Sequence, residues 1–253
     1  MRIITMLKKL TKVVALSFFT IISIQAPLYG QIPSSGELAL KRLDQSNQNR
    51  FFKKGWVQIL LDSKDGPWPD NYMYSILTVT PFEAMAIFSD FASHKDFVPD
   101  MIKSDVVKTG DNGSKVQVSF KLDMPWPFPD SYFTMEDSLN QYVGGVYDVT
   151  WTQVKSDASE KSDGHARFYP YKDGKTLLEY HSVVVPNSSL AFLVERQAMK
   201  EAKRAMLAVR DHINGFKEKF PGKIKKNLSS LAIIMKKNPK KKTEGNKFPI
   251  SAN

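Results

Sequence analysis

The four histidines, at positions 94, 165, 181 and 212, are the side chains best suited to acid–base or metal chemistry, and their spacing supports neither. A zinc-binding helix needs two histidines four apart around a glutamate, and no HExxH is present. Cysteine is absent, which excludes disulfides, thiolate nucleophiles and Cys-ligated metals. No GxSxG elbow, phosphate-cradling glycine loop or motif with paired carboxylates occurs. No catalytic residue, metal site or cofactor is therefore expected. What remains is a pair of hydroxyls. In Leu178-Glu179-Tyr180-His181-Ser182-Val183-Val184, Tyr180 and Ser182 alternate onto the same face as Leu178 and Val184. They can present hydroxyls to a ligand head group, or make ordinary core hydrogen bonds. Glu179 and His181 fall on the opposite face, where solvent is expected. His165 and Arg167 precede Phe168 on another strand, and Arg167 can meet an anion only if it points inward.

These residues need a strand to hold them and a partner to bury it. Asp173-Gly174 is a tight-turn dipeptide, and Thr176–Val185 is rich in β-branched and aromatic residues. Pro186 ends the strand, and Asn187, Ser188 and Ser189 are candidate N-caps. Beyond them, Val194, Ala198, Ala202, Ala205, Met206, Val209 and Ile213 recur mostly at steps of three or four, which predicts an amphipathic helix over 189–213. The middle of its stripe is small (Ala198, Ala202, Ala205), so the helix either lies very close to a sheet or leaves a space beneath it.

Upstream, strands are predicted at 56–61 and 72–79. Thr80-Pro81-Phe82-Glu83 is a capping box with proline at the first helical position, opening a helix to about Phe91 that buries Phe82, Met85, Ile87 and Phe88. Residues 92–101 form a loop or broken helix. Further strands follow at 102–108, 115–124, 131–139, 145–154 and 165–171, with 156–164 read as a solvated loop. In 115–124, Val116, Val118, Phe120, Leu122 and Met124 alternate with polar residues, the mark of a half-buried antiparallel strand. The same alternation puts Phe133 and Met135, Tyr147, Val149 and Trp151, and Phe168 on inward faces. The order β, β, α, antiparallel strands, α predicts one α+β domain over residues 51–215, its curved antiparallel sheet wrapped around the long C-terminal helix.

The net charge of +10 resides at the ends. Residues 1–30 carry +4 and residues 216–253 carry +9, which leaves 31–215 at −3 and argues against a nucleic-acid-binding core. In 1–30, three lysines precede an apolar run from Val13 to Ile24, the length of a signal peptide rather than of a comfortable membrane span. Cleavage is expected after Gly30. Leu28 is large for its place, which leaves Ala26 open, and a retained anchor is the alternative. The mature chain is thus expected in the periplasm or secreted. Residues 31–50 form a polar N-terminal segment. In the basic tail, 216–253, Ile224, Leu228, Leu231 and Met235 are spaced as on a lysine-flanked amphipathic helix that could lie on an anionic membrane, with a disordered end after it.

Three stretches carry a family resemblance. TVTPFEAMAIFSDFASHKDFVPDMIKSDVV is similar to a capped helix, kinked loop and return strand; MPWPFPDSYF to a proline-tryptophan turn opening a strand; DGKTLLEYHSVVVPNSSL to a strand leading through proline into the C-terminal helix. Together they resemble the START-like, polyketide cyclase-type (SRPBCC, helix-grip) superfamily, here as an exported bacterial member. The resemblance implies a sheet gripping the C-terminal helix over an apolar cavity. Its ligand-lining candidates are Val118, Phe120, Phe133, Met135, Tyr147, Trp151, Phe168, Tyr180, Ser182, Ala198, Ala202 and Met206. The function implied is non-catalytic binding or carriage of a hydrophobic, lipid-like ligand. The alternatives are a cyclase- or hydratase-type enzyme and an envelope-associated structural module.

Overall fold

In the computed structural model, which describes residues 32–124, 130–188 and 191–241, the alternating segments pair into one antiparallel sheet of eight strands. The strands are β1 (Trp56–Leu61), β2 (Asp70–Leu77), β3 (Met101–Gly110), β4 (Lys115–Leu122), β5 (Ser131–Gln141), β6 (Tyr147–Ser156), β7 (Ser159–Pro170) and β8 (Thr176–Pro186). Their order across the sheet is β1-β2-β8-β7-β6-β5-β4-β3, so the last strand enters beside the second and the middle of the chain runs as a meander. The Asp-Gly turn before β8 has the backbone its sequence requires, with Asp173 and Gly174 at φ 56° and 69°.

Among the described residues five α-helices flank the sheet: α1 (Gly36–Leu40), α2 (Gln45–Lys54), α3 (Pro81–Phe88), α4 (Glu195–Lys219) and α5 (Pro221–Lys237). The helix α3 opens as predicted, with Glu83 N–H donating to Thr80 Oγ1 at 3.4 Å and Thr80 N–H to Glu83 Oε2 at 2.9 Å. Met85, Ile87 and Phe88 are buried and Phe82 is half-buried. Phe88 meets Phe168 of β7 edge-on at 5.8 Å. With the curved sheet and the long α4, this is the α+β helix-grip arrangement.

The structure corrects three expectations and gives the N-terminal segment a packed place. The stretch 156–164 is no loop: β6 runs to Ser156 and β7 starts at Ser159. The two-residue connection is stitched by Asp157, whose Oδ1 accepts from Tyr132 N–H at 2.9 Å, and by Ser156 Oγ, which accepts from Ala158 and Ser159 N–H. Polar composition there reflects a hairpin with little to bury. The long helix starts at Glu195, after a 3-10 turn at Ala191–Leu193, and continues to Lys219. The polar segment before residue 50 supplies α1 and most of α2, and its Ile32, Ala39, Leu40 and Leu43 bury against Val57, Tyr72, Tyr74 and Tyr169 of the sheet. In the tail, Ile224, Leu231 and Met235 of α5 join the main core with Phe216 of α4. The tail's apolar stripe faces the protein body and leaves the lysines outside. The predicted signal segment, residues 1–30, and the end of the tail after 241 lie outside the described residues.

Candidate functional site

Register sorts the sheet into two faces, because directly paired residues on antiparallel strands point to the same side. Asp137 pairs with Trp151, Trp151 with Gly164, Gly164 with Ser182 and Ser182 with Asn71. One step along, Leu139, Val149, Ala166, Tyr180 and Met73 form a parallel row. Both rows lie on the inner face, the one that carries the main core.

That face changes character along its strands. Toward α3 and α5 it is solid: Val149, Ala166, Phe168 and Leu178 are buried with Ile213 and Phe216 of α4. At the other end it becomes polar and half-buried, at Tyr180, Ser182, Val184 and Gln153. Ala198 and Ala202 of α4 are half-buried as well. The helix is tied down at its flank, where the Gln58 side-chain amide donates to Met199 O at 3.3 Å and to Asn71 Oδ1 at 3.0 Å. Asn71 Nδ2 in turn lies 3.6 Å from Met206 Sδ. Trp68 Nε1 donates to Ala191 O at 2.9 Å and holds the chain entering α4.

Asp137, Trp151 and Tyr180 stand at the border between the packed and the polar end. Asp137 is 5% exposed, and its Oδ2 has no hydrogen-bond partner. Burial pushes its carboxyl up to about 8, so the neutral acid prevails at pH 7. The phenol of Tyr180 is raised by burial and then by the Asp137 charge. The Trp151 ring lies 5.0 Å from that of Tyr180. A glycine makes this possible: a Cβ at Gly164 would come within 2.5 Å of the Trp151 ring and 2.2 Å of His181 O. Ser75 Oγ, also on this face, is buried without a partner. Chemically, the site offers an apolar floor, one neutral carboxyl and two hydroxyls.

Of the sequence candidates, Val118, Phe120, Met135, Trp151 and Phe168 lie buried in the main core, with Phe133, Tyr147 and Tyr180 half-buried against it. Phe120 and Phe133 stack at 5.1 Å. Ser182, Ala198 and Ala202 are half-buried, and Met206 is buried against Asn71. Met124, aligned with them by alternation, lies beyond β4 and is 37% exposed. Trp126 and Phe128 of the proline-tryptophan turn lie outside the described residues. Sequence reading missed Asp137, although the alternation Phe133, Met135, Asp137 points to it. It also missed Asn71, which precedes the predicted start of β2.

The outer face holds a second polar group that corrects another expectation. Glu179 is buried rather than solvent-exposed, and His181 is only half-exposed. Arg167 points to this side, 3.3 Å from both Asp148 Oδ2 and Glu179 Oε1, so it faces away from the interior. His165 Nε2 lies 2.9 Å from Glu179 Oε1, Asn140 donates to Asp148 Oδ1 at 2.8 Å, and Tyr142 donates to Asp148 Oδ2 at 3.2 Å. Burial alone would raise the Glu179 carboxyl; the hydrogen bond with His165 and the Arg167 charge prevail and hold it at about 2. His181 is lowered to about 3 by burial and by His165, and its ring stacks on Tyr72 at 4.1 Å. The paired charges of Arg167, Asp148 and Glu179 position strands β6, β7 and β8.

Among the described residues no cluster of His, Asp and Glu could hold a metal ion, and no helix is long and apolar enough to cross a membrane. Two surface hollows, of about 480 Å3 between α2 and β1 and about 320 Å3 beside β3–β5, open at the sheet edges and include none of Asp137, Trp151 or Tyr180.

No protein-family model and no curated protein sequence matches the chain. Solved structures do. A STAR-related lipid transfer protein fragment from Xanthomonas axonopodis is 14% identical, with a TM-score of 0.55 over 63% of this chain and 99% of that one. Human STARD10 is 14% identical, at 0.54 over 85% and 93%. Human StAR-related lipid transfer protein 5 is 11% identical, at 0.53 over 71% and 96%. At such identities the likeness concerns the fold, which is START-like.

Proposed function

On this START-like frame, we propose that the protein binds and carries a hydrophobic, lipid-like molecule at the half-buried end of the inner face. The reading rests on one observation: the sheet packs solidly at one end, while at the other Tyr180 and Ser182 stay half-buried, as do the small residues Ala198 and Ala202 of α4. Apolar surroundings with a few convergent polar groups are what small-molecule sites consist of. The likeness to structures whose names describe lipid transfer supports it. The leader-like residues 1–30 motivate the rest of the proposal, that the chain is exported to the periplasm or beyond and cleaved before Gln31. The exposed lysines of α5 then give it weak, salt-sensitive contact with anionic membrane surfaces.

One preparation tests these points together. Protein purified from the envelope fraction of its own host should begin at Gln31, release a lipid-like molecule on solvent extraction with a matching mass shift in native mass spectrometry, and partition onto anionic liposomes only at low salt. Repeated recovery of empty protein that also ignores apolar dyes removes the carrier reading. A cytoplasmic protein with an intact N-terminus removes export.

A second reading, an enzyme of cyclase or hydratase type, is favoured by the Asp137 carboxyl, raised to about 8 beside Tyr180. A neutral acid in an apolar site can donate a proton near pH 7. Chemical change of the recovered molecule by wild-type protein, lost in Asp137→Asn, would favour it over carriage.

A further inference from the structure

We infer that the interior selects its ligand by charge: the buried polar end of the ligand is a hydrogen-bond donor without negative charge, a hydroxyl or amino group, seated on Asp137 beside Tyr180 and Trp151. This rests on the binding reading above and adds the ligand's chemical class.

The starting point is Asp137 Oδ2, enclosed in the interior with no hydrogen-bond partner. Buried polar atoms are almost always paired, and we take this unpaired carboxyl oxygen as the seat of a partner that arrives from outside. A carboxyl oxygen accepts, so that partner donates. On the described strands an anionic head group finds no cation to hold it. None of the positions that register assigns to the inner face of β1, β2 and β4–β8 is lysine or arginine. Arg167, the buried arginine of the sheet, faces the other side between Asp148 and Glu179. A carboxylate or phosphate entering this space would lose its water with no cation in exchange, which costs several kcal/mol in low dielectric. Because burial keeps Asp137 protonated near neutrality, it can also donate to the oxygen of an alcohol. An amine would instead draw its proton and pair with it.

Four probes of equal chain length separate the possibilities. Full-length protein carrying an apolar fluorescent dye is titrated at pH 7 with 1-decanol, decylamine, decanoate and decane. Decanol and decylamine should each displace the dye at least tenfold more tightly than decanoate, and more tightly than decane. Asp137→Leu should remove their advantage over decane while decane still binds. Asp137→Asn, which keeps the shape of the side chain, should retain decanol to within a few-fold and lose the preference for decylamine. Thermal melts of both variants guard against misfolding. Decanoate as tight as decanol in the wild type, or the wild-type order preserved in both variants, overturns charge selection. If none of the four displaces the dye, the binding reading itself fails.

Discussion

On the outer face of the sheet, Arg167 lies 3.3 Å from two carboxylates, and Asn140, Tyr142 and His165 take up further bonds to them. On the inner face, across the same strands, Asp137 is as deeply enclosed and Oδ2 meets no partner. Both arrangements cost desolvation, but only the outer one offsets it with charge and hydrogen bonds. The Arg167, Asp148 and Glu179 charges answer one another without any other molecule, and the consequences are structural: they tie β6, β7 and β8 together under the N-terminal helices. The inner carboxyl is incomplete, and a stable chain retains such a group where something else completes it. The contrast gives the outer face a structural role and motivates the binding proposal for the inner one.

Breaking the outer network should have the largest effect. Arg167→Met leaves Asp148 and Glu179 buried without their cation and is expected to lower stability by about 3–5 kcal/mol, read by urea unfolding. A loss below about 1 kcal/mol would show the network to be dispensable and weaken the contrast. By comparison, replacing Arg167, Asp148 and Glu179 together with apolar residues of similar volume should cost much less than the single change.

The two faces should also respond oppositely to pH. Glu179 is held at about 2, below its ordinary 4.5, so its contribution is present above 4.5 and is lost as pH falls toward 2. Asp137 is raised from 3.8 to about 8, so the unfolded chain releases its proton first; stability is greatest below 3.8 and declines as pH rises through about 8. Asp137→Asn should therefore flatten the fall in melting temperature between pH 5 and 8 while leaving acid unfolding unchanged. An unaltered slope would show that Asp137 is not held protonated.

The smallest effect sharpens the inner face alone. Tyr180→Phe removes a hydroxyl that lies beside Asp137 and should weaken decanol binding by about threefold to tenfold, the worth of one hydrogen bond. Decane affinity and the melting temperature should stay the same. A variant that binds decanol unchanged would leave Asp137 as the seat of the polar end without the tyrosine.

Much of this fold was legible in the chain because its signals are local. Alternation in 115–124, the capping box at Thr80 and the Asp173-Gly174 turn each specify their own backbone, and each appears where it was read. The same periodicity put Tyr180 and Ser182 on the inner face with Leu178. Other features were hidden because they depend on distant partners. Glu179 and His181 look like surface residues until residues 32–54 are laid over them, and the lysine-rich α5 looks like a free tail until Phe216 and Leu231 meet in the core.

By itself the sequence determined most of the elements, their periodicities, the absence of thiol chemistry, and a START-like order of strands and helices. The tertiary structure alone decided which buried charges are answered. Arg167, Asp148 and Glu179 come from three strands, and so do Asp137, Trp151 and Tyr180. Whether a buried carboxyl finds a cation or is left unpaired depends on strand order and sheet curvature, and these are long-range properties that no window of residues contains.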